Sequence, residues 1–214
     1  LVIGMTEKRV ESLLQIVVPH KEILILAHND PDPDAIASAV GLRLLLTERL
    51  DVAVRIAYRG IVGRAENKAL VHYLDRPLRQ LIGADLSQLP IVLVDTQPGA
   101  GNNEFAEQST LLAVIDHHSW REASEAAACV DVRPELGATS TIVTEYLQAA
   151  GIEPLRPLST ALFYGIKTDT MGLSRGASAD DVAAYLYLQP LIDVEAYFNR
   201  KRRRQLDYVS SQGC

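Results

Sequence analysis

Residues 23–39 read ILILAHNDPDPDAIASA, and this stretch decides the fold that we expect for the chain. The apolar run at residues 23–27 is typical of a buried strand, and residues 35–50 predict a helix. Between them, Pro31 and Pro33 fix their own φ angles and hold the connecting loop away from helical geometry. The stretch therefore predicts a strand, a stiff loop and a helix in succession.

The same alternation of short apolar runs and helix-like segments continues along the chain. Further strands are predicted at residues 52–58, 91–94 and 111–115, with an edge strand at 129–132. Further helices are predicted at residues 64–74, 140–150, 158–168 and 180–198. Strands that are continuously apolar favour a parallel sheet that is covered on both faces. We therefore expect an α/β domain with a parallel β-sheet and helices on both faces.

The composition excludes several classes of protein. The 214 residues carry 21 Lys and Arg against 27 Asp and Glu, and the net charge of −6 argues against long nucleic acid as the main partner. With only two cysteines, a disulfide framework and a Cys-rich zinc module are excluded, which favours a reducing compartment. No apolar run approaches the roughly 18 residues of a membrane span. We therefore expect a cytoplasmic protein with no membrane partner.

Polar side chains cluster at the ends of the predicted elements, where open α/β sheets bind ligands. The candidates are His28, Asp32, Asp34, Asp95, Asp116, His117, His118 and Asp169. Taken alone, Asp95 is equally well explained as a helix cap or turn residue, and so is the Asp-rich loop at residues 30–34. The sequence Asp-His-His directly after a buried strand is much harder to explain by chance. The combination of segments therefore predicts one site.

The chemistry of this set points to divalent metals. Carboxylate and imidazole ligands suit Mn²⁺, Fe²⁺, Co²⁺ or Mg²⁺ better than structural zinc. Five carboxylates at one sheet edge would repel one another unless cations neutralised them, and the ligands are too many for one ion. Two metals roughly 3.5–4 Å apart activate a water and clamp a phosphoryl oxygen. The residues thus indicate metal-assisted hydrolysis of a phosphate ester or anhydride.

Four ordered motifs resemble those of the DHH phosphoesterase family. They are AHNDPDPDA at residues 27–35, VDTQPG at 94–99, IDHH at 115–118 and KTDT at 167–170. The resemblance covers about residues 23–176 and implies a Mn²⁺-dependent hydrolase with two ions, for which Mg²⁺ or Co²⁺ could substitute. The first motif is similar to the nano-RNase and 3′-phosphoadenosine 5′-phosphate phosphatase-like branch and also to the pyrophosphatases. It is less like the RecJ pattern, where a glycine usually follows the last Asp.

The resemblance also implies a role for each candidate residue. One metal would be held by His28, Asp32 and Asp95. The other would be held by Asp34, Asp95, His117 and Asp169, with Asp95 bridging the two. His118 would contact the substrate phosphate or assist the leaving group, while Asp116 would orient a histidine.

Substrate selection is expected to depend on a second, smaller domain. The glycine-rich, arginine-containing motif of such a domain is not found after Asp169. We expect residues 1–188 to form the catalytic domain and residues 189–214 to be a linker, or the start of a second domain that this chain lacks. The preferred substrate is a short oligonucleotide or small nucleotide. Pyrophosphate or polyphosphate hydrolysis, and a nucleotide-binding regulatory module without catalysis, are the alternatives.

Three further features could contact an anionic substrate. Arg175 follows the fourth motif and could reach an anionic substrate, but an exposed loop arginine is the preferred interpretation. Ser140 lies in the GATS sequence at residues 137–140, which could bind phosphate or simply cap a helix. The basic run at residues 200–204 could touch a nucleotide backbone, but a solvated linker is the preferred interpretation.

Overall fold

A parallel sheet forms the centre of the protein in the computed structural model, which describes residues 2–81 and 89–197. Within these ranges the sheet has six strands in the order β3-β2-β1-β4-β5-β6. The strands are β1 (Glu22–Ala27), β2 (Ala53–Tyr58), β3 (Arg79–Gln80), β4 (Ile91–Val94), β5 (Leu111–Asp116) and β6 (Cys129–Val132). Every neighbouring pair is parallel. The predicted α/β domain with a parallel sheet is therefore confirmed, and the predicted edge strand is β6.

The order of the strands creates a switch point beside β1. The chain leaves β1 toward β2 and β3 on one side, and it returns to place β4, β5 and β6 on the other. The register pairs Leu24 of β1 with Ile91 of β4 and Ala27 with Val94, so both strands end at the same level. The carboxyl ends of such a pair form the crevice in which open α/β sheets bind ligands.

Six α-helices are described, and all six contribute buried side chains to the core on one face of the sheet. They are α1 (Val2–Val17), α2 (Pro33–Arg49), α3 (Ala65–Tyr73), α4 (Thr139–Ala149), α5 (Arg156–Asp169) and α6 (Ala179–Leu188). Ile23 and Ile25 of β1 point into the large core that these helices share. Leu24 and Leu26 point into a smaller core, to which Phe105 and Ala127 of the loops after β4 and β5 contribute. Burial on both faces explains why the central strands are continuously apolar.

Two elements were not predicted from the pattern. Helix α1 precedes the first predicted strand, and its buried face consists of Val10, Leu13 and Val17, whose spacing of three and four residues is a helical signal. Strand β3 has only two residues, both exposed, so it carries no apolar signal.

The predicted helix at residues 180–198 is wrong in its extent. Helix α6 ends at Leu188, and Gln189–Leu191 form a 3₁₀ turn that contains Pro190. Proline has no N–H to continue the α-helical ladder, which explains the end of the helix. Residues after this turn still pack on the domain, since Tyr197 is buried against the ring of Phe163. Within the described residues, no helix has the length and apolar character that a membrane crossing requires.

Candidate metal centre

The structure gathers the candidate side chains in the crevice at the switch point. His28 directly follows β1, Asp95 directly follows β4, and Asp116 is the last residue of β5. Asp169 ends α5, which packs on α2 and so reaches the same crevice. Residues that are far apart in the chain therefore meet because parallel strands end at one edge of the sheet.

The first group consists of His28, Asp32 and Asp95. Nδ1 of His28 lies 2.8 Å from the carbonyl oxygen of Asn29, which leaves Nε2 facing Asp32 at 3.7 Å and Asp95 at 3.5 Å. Asp32 is also the N-cap of α2, and its Oδ1 accepts the N–H of Ala35. Burial alone would lower the pKa of the His28 imidazole, but the two carboxylates outweigh burial and raise that pKa to about 11. The imidazole is thus strongly attracted by negative charge.

The second group is centred on His117. Its Nδ1 lies 3.3 Å from the carbonyl oxygen of Leu136, and its Nε2 faces carboxylate oxygens of Asp169 at 3.5 Å, Asp95 at 3.6 Å and Asp34 at 3.9 Å. Burial would lower the pKa of His117, but these carboxylates raise it to about 10. In both groups a backbone carbonyl orients the ring, as is common for metal-binding histidines.

Asp34 is completely buried at the N-terminus of α4. Its two carboxylate oxygens accept the backbone N–H groups of Thr139 and Ser140, each at 2.7 Å. Burial, together with the negative charges of Asp95 and Asp169, raises the pKa of Asp34 well above its ordinary value. The helix N-terminus stabilises the carboxylate and only partly offsets these effects. A bound cation would supply the missing positive charge.

Asp95 is held in an unusual backbone conformation. Its φ angle is +58°, which places a residue other than glycine in the left-handed region. The side chain is buried, and its Oδ1 accepts the hydroxyl of Thr139 at 2.8 Å. This conformation aims the carboxylate between the two histidines, at 3.5 Å from His28 and 3.6 Å from His117. Strained backbone of this kind is concentrated at functional sites.

Asp116 and His118 form a separate pair at the edge of the crevice. Nδ1 of His118 lies 2.8 Å from Oδ1 of Asp116, and this hydrogen bond raises the pKa of His118. Burial would raise the pKa of Asp116, but His118 outweighs burial and lowers it. The ring of His118 remains 55% exposed, so its other nitrogen can face a ligand. Asp95, His117 and His118 also lie close enough to form a third possible group of ligands.

The donor set fits divalent metals. Ligand atoms of His28, Asp32 and Asp95, and likewise those of Asp34, His117 and Asp169, lie within 4.8 Å of one another. Nε2 of His117 is buried and has no hydrogen-bond partner in the described part of the chain, although carboxylates surround it. A buried polar atom without a partner is costly, and coordination of a metal would satisfy it.

The two candidate substrate contacts lie outside this cluster. Ser140 is fully buried, its N–H is used by Asp34, and its Oγ lies 3.2 Å from Oγ of Ser38. Its side chain therefore has no surface to offer a substrate, and it helps to position Asp34 instead. Arg175 is exposed, and its guanidinium approaches the sulfur of Met171. The basic run at residues 200–204 lies outside the described residues.

Thr139 and Gln97 contribute to the centre although they were not predicted as site residues. Thr139 holds both Asp34 and Asp95, and Gln97 donates from Nε2 to Oδ2 of Asp116 at 2.7 Å. Both lie within short motifs that were visible in the sequence, GATS and VDTQPG. Nothing in the spacing of those motifs indicates which carboxylate each residue contacts, because these contacts cross between elements.

Comparison with known proteins agrees with the architecture. An uncharacterized protein of Methanocaldococcus jannaschii is 43% identical over 172 residues, which are 80% of this chain and 35% of that protein. A probable manganese-dependent inorganic pyrophosphatase of Staphylococcus saprophyticus is 28% identical over 183 residues, which are 81% of this chain and 57% of that protein. This chain therefore spans between about a third and somewhat over half of the length of these relatives.

A solved structure shares the fold. A Methanococcus jannaschii protein proposed as a family II inorganic pyrophosphatase matches with a TM-score of 0.65 and 21% identity, over 79% of this chain and 55% of that one. The family model described as "DHH family, N-terminal domain" matches residues 22–166. This range contains all the candidate ligands except Asp169, which lies three residues beyond it. The chain therefore belongs to the DHH family and carries its N-terminal domain.

Proposed function

We propose that this chain carries a two-metal, Mn²⁺-dependent phosphohydrolase centre that acts on short oligonucleotides or small nucleotides. His28, Asp32 and Asp95 would hold one ion. Asp34, Asp95, His117 and Asp169 would hold the other, so that Asp95 bridges. The observation that carries the proposal is the burial of Nε2 of His117, without a hydrogen-bond partner in the described residues, among three carboxylates.

Each group of side chains has a distinct part in the proposed reaction. The bound ions would supply an activated water and polarise the phosphoryl group. His118, whose pKa is raised by Asp116, can donate a proton to the leaving oxygen or a hydrogen bond to the phosphate. Asp116 keeps the ring of His118 oriented through their 2.8 Å contact. The choice of Mn²⁺ is supported by the similarity to a probable manganese-dependent inorganic pyrophosphatase.

A cavity beside the centre supports a nucleotide as substrate. It has a volume of about 450 Å³ and is lined by Asp32 and Asp169 together with Arg64, Lys167 and Tyr197. The ammonium of Lys167 lies 4.8 Å from the centroid of the Tyr197 ring. The cations Arg64 and Lys167 suit a ligand with phosphates, whereas the ring of Tyr197 is buried and forms only part of the wall. The cavity therefore offers cations to phosphates of a substrate beyond the one that reacts.

The first test is hydrolysis of an artificial bis-aryl phosphate by the full chain with added Mn²⁺. Asp95→Ala and His117→Ala should each lower the rate by at least about 100-fold, since each removes a ligand of the proposed ions. Asp51→Ala and His20→Ala are matched controls outside the crevice and should keep the rate. Full activity of both ligand variants would disprove the metal centre. Tight nucleotide binding without turnover at saturating Mn²⁺ would favour the non-catalytic alternative.

Hydrolysis of pyrophosphate is a second candidate function. It is favoured by the similarity to staphylococcal proteins that are named as probable manganese-dependent inorganic pyrophosphatases. Release of inorganic phosphate from pyrophosphate and polyphosphate, measured beside release of mononucleotides from a dinucleotide, separates the two candidates. We expect residues 189–214 to act as a linker to a domain that selects the substrate. The same assays on a longer form of the protein would test this, because such a domain should change the preference among the substrates. That boundary and the cytoplasmic location both remain predictions.

A further inference from the structure

A second groove lies along α3, away from the metal ligands. It has a volume of about 600 Å³, and its walls include Tyr58, Ile61, Lys68, His72, Arg76 and Gln80. We call it the α3 groove. Ile61 is 66% exposed and contributes an apolar surface, while Tyr58 and His72 contribute rings. None of these residues is among the proposed metal ligands.

The charge around the α3 groove contrasts with that of the whole chain. Residues 52–81 contain six Lys and Arg against two Asp and Glu, a net charge of +4 in a chain whose total is −6. A neighbouring cavity of about 590 Å³ shares Arg76 with the groove and adds Arg43, Arg55 and Arg79. Only Asp75 is acidic among the residues that line these two cavities. The surface is therefore complementary to a ligand with several negative charges.

Several of these cations have no carboxylate partner. Within residues 2–81 and 89–197, the only one of the lining arginines and lysine in an ion pair is Arg55, which contacts Glu22 at 2.5 Å. Arg43 is half-buried, and among the described residues its guanidinium donates to the carbonyl of Pro77 at 3.5 Å. Cations that surface carboxylates do not neutralise remain available to phosphates.

The groove and the cavity at the proposed reaction site are both lined by residues of the segment 64–73, which contains α3. Helix α3 lines both: Arg64 and Asn67 face the cavity that contains Asp32 and Asp169, and Lys68 and His72 face the α3 groove. The loop that enters α3 is tied to the metal-binding loop, since Oδ1 of Asp30 accepts the N–H of Ile61 at 2.6 Å. A chain-like ligand could therefore extend from the metal centre along α3.

We propose that the α3 groove binds the sugar–phosphate chain and a base of a single-stranded oligonucleotide whose reacting phosphate lies at the metal centre. This inference rests on the proposed function. Lys68 and Arg76 would contact phosphates, and Tyr58 and His72 would offer rings to a base. Inorganic polyphosphate carries the same charge but has no base, and it would leave the rings and Ile61 unused.

The experiment measures binding of a labelled short single-stranded oligonucleotide to the full chain by fluorescence anisotropy, with Mn²⁺ present and with uncleavable methylene-phosphonate linkages so that hydrolysis cannot occur. Lys68→Ala and Arg76→Ala should each weaken binding about 5-fold at roughly 0.1 M salt, and the pair about 25-fold. Each substitution should also reduce the salt slope by about 0.7. Lys8→Ala, on the exposed surface of α1, is the matched control and should bind as the parent does.

The outcomes distinguish this inference from the proposed function. Hydrolysis of the bis-aryl phosphate should be unchanged in Lys68→Ala and Arg76→Ala, which also shows that the variants fold. If both variants bind the oligonucleotide as tightly as the parent does, the proposal that the α3 groove binds it is contradicted, even if hydrolysis is intact. An abasic oligonucleotide and a polyphosphate of equal charge test the contact with a base. If either binds as tightly as the intact oligonucleotide, the proposed contact with a base is contradicted. Absence of hydrolysis alongside the expected binding losses would instead reject the proposed function.

Discussion

At the scale of single residues, Gln97 stabilises the crevice although it is not one of the candidate metal ligands. The side chain is buried, and both of its polar atoms are used. Nε2 donates to Oδ2 of Asp116 and to the carbonyl of Ser119, and Oε1 accepts from the N–H of Arg121 and the hydroxyl of Ser124. Gln97 thus connects the end of β4 to the loop that carries the histidines.

Substituting Gln97→Leu should destabilise the protein by about 1–3 kcal/mol, because a buried carboxylate oxygen of Asp116 and a backbone N–H lose their partner. The free energy of unfolding from urea titration measures this change. Gln108→Leu, at an exposed position between the same two strands, should change it by less than about 0.5 kcal/mol. Equal stability of the two variants would contradict the role assigned to Gln97.

At the scale of elements, the close approach of α5 to α2 and α4 shapes the centre. Gly165 in α5 leaves no room for a side chain, since a Cβ there would lie 2.5 Å from Oγ of Ser140 and 3.1 Å from the Cα of Asp34. The buried end of α2 is therefore wedged between α5 and the N-terminus of α4. The packing of three helices places the Asp34 carboxylate against the backbone N–H groups that hold it.

The substitution Gly165→Ala should weaken Mn²⁺ binding and lower stability, because the added methyl group displaces Asp34 or Ser140. Overpacking costs about 1–3 kcal/mol, which exceeds the roughly 1 kcal/mol that alanine gains over glycine in a helix. Calorimetric titration with Mn²⁺ and urea unfolding measure the two effects. Gly4→Ala in α1, where a Cβ meets nothing within 4 Å, should bind Mn²⁺ normally and be at least as stable. Unchanged Mn²⁺ affinity in Gly165→Ala would contradict this account.

At the scale of the whole molecule, the negative charge is unevenly distributed. The candidate centre concentrates Asp32, Asp34, Asp95 and Asp169 in one crevice, while residues 52–81 are basic. Burial and mutual repulsion raise the pKa of Asp34 and Asp169, although His117 opposes this for both groups. The fold therefore holds several carboxylates close together, and bound cations would neutralise their negative charge.

Binding of Mn²⁺ should accordingly stabilise the folded chain. At a free concentration 100 times the dissociation constant, the expected gain is about 2.7 kcal/mol, and EDTA should reverse it. Thermal unfolding followed by circular dichroism measures the shift in Tm. Asp95→Asn should abolish the shift without unfolding the metal-free protein, whereas Asp51→Asn should keep it. A Tm that does not respond to Mn²⁺ in the parent chain would refute the centre.

Much of this architecture follows from local patterns. Local apolar patterns predicted the positions of β1, β2, β4, β5 and β6 to within a residue. For β1, β4 and β5 the physical reason is burial on both faces, whereas β2 and β6 are only partly buried. The extent of the last helix was predicted wrongly, since Pro190 interrupts a segment whose apolar content is otherwise helical. Ser140 was interpreted either as a phosphate contact or as part of a helix cap, and in the fold its N–H donates to Asp34.

The sequence by itself determined the α/β class and the types of side chain available for chemistry, because apolar periodicity and the residues that follow each strand are local properties. Only the tertiary structure decided which of these side chains meet. The strand order puts β1 beside β4, and the packing of α5 on α2 brings Asp169 to His117 at 3.5 Å. The contacts of Thr139 and Gln97 join segments that are distant in the chain, and no local pattern encodes a distance between them.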